Sequence, residues 1–440
     1  MNSLDHLTSE LVTWPVVRRV GRLGEVADGV VRVRGLSDVA AIGDALMVED
    51  GASRRRGEVI GVAAADATAI IEGGAVGLRA GTRVFHEGPA ALCPCEDWIG
   101  RVIDPFGDPM DGMPLPKGAV CRPVNATPPP PFERRALGRR LETGLRLFNT
   151  ILPIVRGQRI GLFAGAGVGK TTLLAQLARG IEADVVVIAL VGERGRELRD
   201  FLTRALGAAG LSRAVVVAAT SDRSQLARRR CLPVAMAVAE HFRDAGRHVL
   251  LVADSVTRFV DAHREVALAA GEPPALDGYP PSIVPAITQL CERAGPGAAD
   301  QGDITAIFSV LMAGSDTEGP VADTLRGVLD GHVVLDRRIA ERGRFPAVDV
   351  LRSVSRSLPE AATVEQNDLI ADVRASLSLY ERCEIMVRAG LHESGADPAV
   401  DRALALWPGL DTYFGESEPV GTPESFDALS RLFEDMPLTP

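Results

Sequence analysis

The most constraining feature of this 440-residue chain is a glycine-rich run, AGAGVGKT, at residues 164–171. It follows an apolar run directly and precedes the helical pattern TLLAQLAR, so its context is strand, loop and helix. Glycines in such a loop let backbone N–H groups approach a triphosphate closely, and the helix N-terminus adds positive potential. We expect Lys170 to neutralise the β- and γ-phosphates and the Thr171 hydroxyl to bind Mg²⁺. The run therefore predicts a P-loop that binds ATP.

The whole loop is predicted to surround the phosphate groups. Ala164 stands where the strict P-loop pattern has glycine, and one small residue replaces another there. The predicted nucleotide-binding residues of the loop are Ala164, Gly165, Ala166, Gly167, Val168, Gly169, Lys170, Thr171 and Thr172.

The pattern after about Leu141 predicts an α/β domain. Runs rich in β-branched residues alternate with longer helical patterns, which is typical of a parallel sheet covered on both faces. The candidate strands are RIGLFA, DVVVIALVG, AVVVAAT, HVLLVAD, DITAIFSVL and HVVLD. Between two of them a helical spacing of apolar residues predicts a stripe that packs in the core: Leu232, Ala235, Met236, Ala239 and Phe242.

Two acidic residues lie at the ends of candidate strands. Asp254 ends HVLLVAD, and Glu193 follows DVVVIALVG. Ligands of parallel sheets bind at the carboxyl edge, so both carboxylates are expected beside the phosphates. We expect Asp254 to be a partner of Mg²⁺, and Glu193 to orient the attacking water and accept its proton. Taken alone, Asp254 could be a turn-forming strand end, and Glu193 could belong to a solvated loop.

The chain divides into three segments of different pattern. Short apolar runs broken by glycine, up to about residue 85, predict a small β-barrel or sandwich. Residues 89–140 form a Pro/Gly-rich connector, where proline is expected to preclude regular elements. Strand signals vanish after about residue 360 and helical patterns replace them. We therefore predict an N-terminal β-barrel domain with a short leading segment (1–88), an ATPase domain beginning with the connector (89–358), and a helical C-terminal domain (359–440).

Composition restricts the class of protein. A chain of 440 residues exceeds what one hydrophobic core usually serves. Apolar residues make up 46% and charged residues 24%, which is typical of a soluble globular protein and not of long disorder. A net charge of −10 argues against a protein whose whole surface binds nucleic acid.

The spacing of the cysteines and the N-terminal sequence indicate the cellular compartment of the protein. Among six cysteines only Cys93 and Cys95 are close, and one residue separates them instead of the two expected of a zinc or redox pair. We therefore expect six free thiols in a reducing compartment. The N-terminus lacks the basic-then-apolar order of a signal peptide, so a cytoplasmic location is expected. The first 15 residues are either an amphipathic docking helix or a frayed tail.

Further motifs occur in order along nearly the whole chain. They include GRVIDPFGDPMDG, RGQRIGLFAGAGVGKTTLL, VGERGRELRDFL, GEPPALDGYPPS and VADTLRGVLDGHVVLDRRIAERGRFPAVDVLRSVSR. In these motifs the chain resembles the flagellum-specific ATPase of the type III protein export apparatus, a relative of the catalytic and non-catalytic subunits of rotary ATP synthases. The resemblance implies a β-barrel, a RecA-like P-loop domain with a parallel sheet, and a helical C-terminal domain.

The resemblance also implies roles for individual residues. Lys170, Thr171, Glu193, Arg194 and Asp254 would form one wall of the nucleotide site. Arg356 in the SVSR motif would be an arginine finger that reaches the γ-phosphate of a neighbouring subunit. Phe345, where relatives usually have tyrosine, would stack on adenine, with core packing as the alternative.

The partners implied by the resemblance are those of an export machine. They are five further copies of the chain in a homo-hexamer, a stator-like regulator, the membrane export gate, and export substrates with their chaperones. The protein would be cytoplasmic and peripheral at the inner face of the cytoplasmic membrane, and it would not bind nucleic acid.

Three rival functions share this fold. Rotary synthases separate the glutamate and the finger between different subunits, whereas this chain carries both Glu193 and Arg356. A hexameric RNA translocase needs basic and aromatic residues interleaved in its N-terminal module, and aromatic residues make up only 4% of this chain. A virulence secretion ATPase has the same fold and reaction, so the chemistry of the sequence alone leaves that alternative open.

Overall fold

The computed structural model describes most of the chain, and the leading segment expected to be a docking helix or a frayed tail lies outside the described residues. The described ranges are 18–27, 29–51, 53–275, 278–312, 319–389, 391–393, 395–418 and 420–434. They form two compact units. The first contains the described residues up to Ala91 together with 223–227 and 262–280, and the second contains 92–222, 228–261 and the described residues from Pro281 onward.

The first unit contains a closed antiparallel barrel. The strands are adjacent in the order β1-β2-β5-β4-β3-β6. Their bounds are β1 (Arg19–Ala27), β2 (Val30–Arg34), β3 (Asp44–Asp50), β4 (Ser53–Val62), β5 (Asp66–Ile71) and β6 (Arg83–Pro89). Along β2 the side chains of Val31 and Val33 are buried and those of Arg32 and Arg34 are exposed, because successive side chains of a strand point to opposite faces. Of the two predicted architectures, barrel and sandwich, the structure has the barrel.

The second unit is built on a mostly parallel sheet. Its main strands, in spatial order, are β17 (Val348–Ser355), β16 (Gly331–Leu335), β10 (Arg159–Ala164), β15 (Asp303–Leu311), β13 (His248–Asp254), β11 (Val185–Glu193), β12 (Ala214–Thr220) and β8 (Val102–Ile103). All six strands predicted from sequence are present. The central strands are buried on both faces, which explains why they read as continuous apolar runs and not as alternating ones.

Helices connect and cover these strands. Between residues 146 and 341 they are α1 (Arg146–Asn149), α2 (Lys170–Gly180), α3 (Gly195–Asp200), α4 (Gly207–Leu211), α5 (Gln225–Asp244), α6 (Val256–Ala269), α7 (Ile283–Arg293), α8 (Pro320–Val328) and α9 (Arg337–Glu341). A π-helical turn, Phe201–Leu206, joins α3 to α4. The stripe predicted on α5 is fully buried, as expected of core packing.

The C-terminal part is helical, as predicted. Its helices are α10 (Val364–Arg388), α11 (Pro398–Tyr413) and α12 (Thr422–Glu434). The side chain of Thr363 caps α10 in a capping box with Gln366. The Tyr413 hydroxyl donates a 2.8 Å hydrogen bond to the Ser425 carbonyl, which ties α11 to α12. No helix in the described ranges combines the length and the apolar character needed to cross a membrane.

The expectation that the connector lacks regular elements is wrong. It contains the short strands β7 (Ala91–Leu92), β8 and β9 (Arg122–Pro123), and 3₁₀ turns at Glu96–Trp98 and Pro131–Glu133. β8 pairs with β12 and forms an edge of the large sheet. A two-residue strand between prolines has no period to recognise, so only the tertiary pairing reveals it. Two further strands were not predicted, the antiparallel β17 and the short β14 (Gly295–Pro296) beside β15.

The expectation of six free cysteines is also wrong. Cys93 and Cys121 form a disulfide, whereas Cys95, Cys231, Cys291 and Cys383 are free thiols. The bonded cysteines are 28 positions apart, so close spacing in sequence, which pairs Cys93 with Cys95, does not identify them. β7 and β9 pair with each other and bring the two cysteines together.

Candidate active site

The P-loop has the predicted strand–loop–helix form. β10 ends at Ala164 and α2 begins at Lys170. Gly167 and Gly169 have φ angles of +77° and +87°, in the left-handed region that L side chains rarely adopt. Among the described residues, a Cβ on Gly167 would meet no atom within 4 Å, so this part of the loop backbone is open to a ligand. Thr171 and Thr172 are exposed on the first turn of α2, where the N–H groups of a helix attract an anion.

Lys170 and Asp254 meet at the carboxyl edge of the sheet. Lys170 is nearly buried, and its Nζ donates a hydrogen bond to Oδ1 of the buried Asp254. Ser309 Oγ, on the adjacent strand β15, donates to the same oxygen at 2.7 Å. The parallel order β10-β15-β13 brings together the loop and helix that follow β10, Ser309 on β15 and Asp254 at the end of β13. The predicted proximity of the P-loop and Asp254 therefore exists in the fold.

Glu193 ends β11, the strand next to β13, and lies half-buried near Asp254. Burial, the hydrogen bond with Glu197 and the negative charge of Asp254 raise the pKa of Glu193, and the ammonium group of Lys170 opposes them. Together these effects place the pKa at about 7. A carboxyl group with a pKa near neutrality can accept a proton at physiological pH and release it again.

A cavity of about 290 Å³ opens beside these groups. Its walls include Thr171, Glu193, Glu197 and Asp254, and the ring of Phe201 from the π-helical turn. Predicted phosphate-loop, metal and base residues thus face one space, although they come from three separate segments of the chain.

Phe345 lies against the phosphate loop. A Cβ on Gly169 would stand 3.1 Å from Cδ1 of the Phe345 ring. The Phe345 side chain is 51% exposed, so the alternative of core packing is not what the structure shows. The ring therefore borders the open side of the nucleotide loop.

The polar partners of Arg194 and Arg356 are residues that were not predicted to belong to the site. The Arg194 side chain is exposed next to Glu193, and its Nε lies 4.0 Å from Glu197 Oε1. The Arg356 guanidinium donates hydrogen bonds to the carbonyls of Leu329 and Arg326 at 3.0 and 3.1 Å. These carbonyls precede β16, whose opposite end pairs with Ala164. Five strand residues span about 16 Å, so Arg356 lies far from the phosphate loop of its own chain.

Two polar residues of the site were not predicted from sequence. Ser309 is a polar residue inside the apolar run DITAIFSVL, and that interruption was the available signal. Glu197 lies four positions after Glu193, but Glu193 is on a strand and Glu197 on α3, so helical spacing does not predict their proximity.

Comparison with known proteins agrees with this geometry. Residues 144–355 match the ATP synthase alpha/beta family nucleotide-binding domain, and residues 362–431 match the type III secretion EscN ATPase C-terminal domain. The flagellum-specific ATP synthase of Caulobacter vibrioides is 42% identical over 427 residues, covering 94% of this chain and 96% of that protein. The chain belongs to the type III export ATPase family. It is a P-loop ATPase that binds a nucleotide, with the fold that the sequence predicts.

Two further members of the type III export ATPase family are similar to this chain over most of its length. The type 3 secretion system ATPase of Xanthomonas euvesicatoria is 41% identical over 401 residues, 90% of each chain. The solved structure of assembled EscN in complex with its central stalk EscO, from enteropathogenic E. coli, matches with a TM-score of 0.85 and 35% identity, over 94% of this chain and 99% of that one. The family thus includes both flagellar and virulence ATPases, and the fold extends over nearly the whole chain.

Proposed function

We propose that this chain hydrolyses Mg-ATP to energise type III protein export for flagellum assembly. The observation that carries the proposal is that Asp254 and Glu193 line one cavity at the carboxyl edge of the sheet, where Lys170 bonds to Asp254. That convergence supplies a cation for the phosphates, oxygen ligands for a metal ion and a base for water.

The roles of the residues follow from the chemistry of phosphoryl transfer, which depends on positioning and charge stabilisation. The backbone N–H groups of residues 165–169 hold the β- and γ-phosphates, and the ammonium group of Lys170 neutralises them. Glu193, when ionised, orients a water molecule in line with the γ-phosphate and accepts its proton. Arg194, which follows Glu193, forms part of the same wall of the nucleotide site.

The residues present fit a magnesium ion. The Thr171 hydroxyl and the Asp254 carboxylate both border the cavity and are the hard oxygen ligands that Mg²⁺ prefers. Among the described residues no group of three or more His, Cys, Asp or Glu side chains could hold a metal, so phosphates and water would complete the ligand set. When bound, the ion would withdraw charge from the phosphoryl oxygens.

The active unit is proposed to be a homo-hexamer in which Arg356 of one subunit completes the site of its neighbour. Two observations support this. Arg356 lies far from its own phosphate loop, and the similar protein EscN was solved in assembled form with a central stalk. A stalk or stator-like regulator, the membrane export gate, and export substrates with their chaperones are the proposed partners. We further propose a cytoplasmic location, peripheral at the membrane, and the domain division 1–88, 89–358 and 359–440.

A virulence secretion ATPase is the second candidate, favoured by 41% identity to the Xanthomonas protein. Deleting the gene in the source bacterium separates the two. Under the flagellar proposal, export of extracellular flagellar subunits is lost, the intact gene restores it, and the Glu193→Gln variant does not. Intact flagella together with loss of secreted virulence proteins would support the second candidate instead.

Phe345 is proposed to stack on the adenine ring, since it borders Gly169 and is exposed. We expect Phe345→Ala to raise the KM for ATP about 5- to 150-fold with a smaller change in kcat, because base–aromatic stacking contributes about 1–3 kcal/mol. Phe345→Tyr keeps the aromatic face and should leave KM within about twofold. Phe132→Ala, at an exposed phenylalanine of the connector, is the matched control. An unchanged KM in Phe345→Ala would remove this residue from the base site.

The raised pKa of Glu193 predicts how activity depends on pH. The carboxylate is the active form, so kcat/KM should rise about tenfold per pH unit below 7 and level off above it. Glu197→Gln removes a carboxyl group that raises the pKa of Glu193, so the rising limb should move to lower pH. Glu341→Gln removes an equal charge from exposed α9 and should leave the profile in place. An identical profile in the parent and Glu197→Gln proteins would contradict this assignment.

A further inference from the structure

The Cys93–Cys121 pair lies at the base of a loop that contributes to the ATPase sheet. Cys93 follows β7, Cys121 precedes β9, and these two strands pair. The Cα atoms of the two cysteines are 3.9 Å apart. Residues 94–120 form the loop between them, and this loop carries β8.

Noncovalent contacts hold the base of the loop together independently of the disulfide. The Gly118 N–H donates a 2.7 Å hydrogen bond to the Cys93 carbonyl. The Trp98 indole N–H donates to the Pro116 carbonyl at 2.6 Å. Arg101 makes a bidentate ion pair with Asp111 at 2.6 and 2.7 Å. These contacts would keep the two sulfur atoms adjacent after reduction, so the bond could form again without refolding.

Cys93 and Cys121 are more exposed than the buried free cysteines of the second unit. Cys121 is exposed and Cys93 is half-buried, whereas Cys231 and Cys291 are completely buried. Burial raises the pKa of the Cys291 thiol to about 12 and that of Cys231 further. An external thiol can therefore reach Cys121, and exposed disulfides are the ones that exchange.

Cys95 is the free cysteine nearest to Cys93 in sequence, so it is the alternative disulfide partner for Cys93 or Cys121. It is half-buried, and its sulfur lies 3.8 Å from the Pro116 carbonyl, an acceptor shared with Trp98. Burial raises its pKa, so less of it is thiolate, the form that attacks disulfides. The structure therefore favours Cys93 and Cys121 as partners over either combination with Cys95.

We infer that Cys93 and Cys121 form a reversible dithiol–disulfide site, which exchanges with external dithiols and disulfides and locks the base of the 94–120 loop when oxidised. No reaction step assigned to the ATPase site uses these residues.

The exchange balances in two steps. In oxidation, the Cys121 thiolate attacks an external disulfide, forming a mixed disulfide and releasing one external thiolate. The Cys93 thiolate then attacks Cys121 Sγ and releases the second external thiolate. The two protein thiols lose two protons and two electrons, and the external disulfide gains them. An external dithiol reverses the sequence by attacking Cys121 Sγ first and displacing the Cys93 thiolate.

The disulfide would affect the edge of the sheet at β12, and Glu193 lies on the neighbouring strand β11. The Gly100 N–H donates to the Ala214 carbonyl at 2.7 Å, and the Val216 N–H donates to the Arg101 carbonyl at 2.9 Å. Both bonds join the loop to β12, the neighbour of β11. Closing the base of the loop should slow opening of this edge, because fewer loop conformations are then available.

The experiment equilibrates the folded full-length protein with mixtures of reduced and oxidised glutathione. The thiols are then trapped by alkylation, and the linked peptides are identified by mass spectrometry. We expect a single link, between Cys93 and Cys121. The linked fraction should rise from a tenth to nine tenths as [GSH]²/[GSSG] falls about 80-fold, as for a two-electron couple. Hydrogen exchange at the Gly100 and Val216 amides should be slower in the oxidised protein.

Three variants control the assignment. Cys95→Ser and Cys291→Ser should titrate like the parent, whereas Cys121→Ser should form no link to Cys93. Because Cys95→Ser keeps both partners, the test holds even if Cys121→Ser fails to fold. Persistent thiols at every glutathione ratio, a link involving Cys95, or a link that glutathione reduces only in denaturant would each overturn the proposal.

Discussion

Replacing Lys170 with alanine should abolish nucleotide binding and reduce phosphate release about 10²- to 10³-fold, the scale seen when one electrostatic contact to the transition state is removed. The chain has only two lysines, Lys117 and Lys170, and Lys170 alone stands at the N-terminus of the helix after the P-loop. The measurements are nucleotide titration by calorimetry and steady-state phosphate release. Lys117→Ala, at an exposed position, is the matched control and should behave like the parent.

The same substitution has an expected cost in stability that must be separated from the loss of function. Lys170 pairs with the buried Asp254, and removing one partner of a buried ion pair costs about 3–5 kcal/mol. We therefore expect a lower Tm for Lys170→Ala, and partial recovery in the double variant Lys170→Ala/Asp254→Asn, whose neutral amide can still accept the Ser309 hydroxyl. The double variant should regain Tm without regaining activity. A folded Lys170→Ala protein that binds and cleaves ATP like the parent would refute the assigned site.

The second large effect concerns a site shared between subunits. Arg356→Ala should lower kcat about 10³-fold, the lower range for removal of an arginine finger, and leave ATP binding nearly unchanged. Glu193→Gln should also be nearly inactive, because the amide cannot accept the proton of the attacking water. Arg337→Ala, at an exposed arginine of α9, is the control.

Mixing the two inactive proteins distinguishes a shared site from a site within one chain. An Arg356→Ala subunit retains Glu193, and a Glu193→Gln subunit retains Arg356. Random assembly of equal amounts in a ring gives about one interface in four with both groups intact. We therefore expect about a quarter of the parent activity after subunit exchange, measured as phosphate release at a protein concentration where both variants assemble. Zero recovery from co-assembled rings would place both groups in the same subunit's site or assign Arg356 another role.

The disulfide and the connector show where sequence patterns were insufficient. Sequence patterns relate residues that are close in the chain, whereas Cys93 and Cys121 are brought together only by the pairing of β7 with β9. The same holds for β8, whose two residues become a strand only because β12 presents an unpaired edge. Long-range pairing of short segments leaves no periodic signal in the chain.

The local part of this protein was determined by its sequence. The P-loop, the six main strands and the α5 stripe each depend on contacts within one strand–loop–helix unit, and the periodicity of apolar residues and the positions of glycines specify such units directly. The tertiary structure decided which distant groups share a space. Ser309 beside Asp254, Phe345 against Gly169, and Arg356 at the far end of β16 all depend on the order of the strands in the sheet. That order is set by packing of the whole core and not by any short stretch of chain.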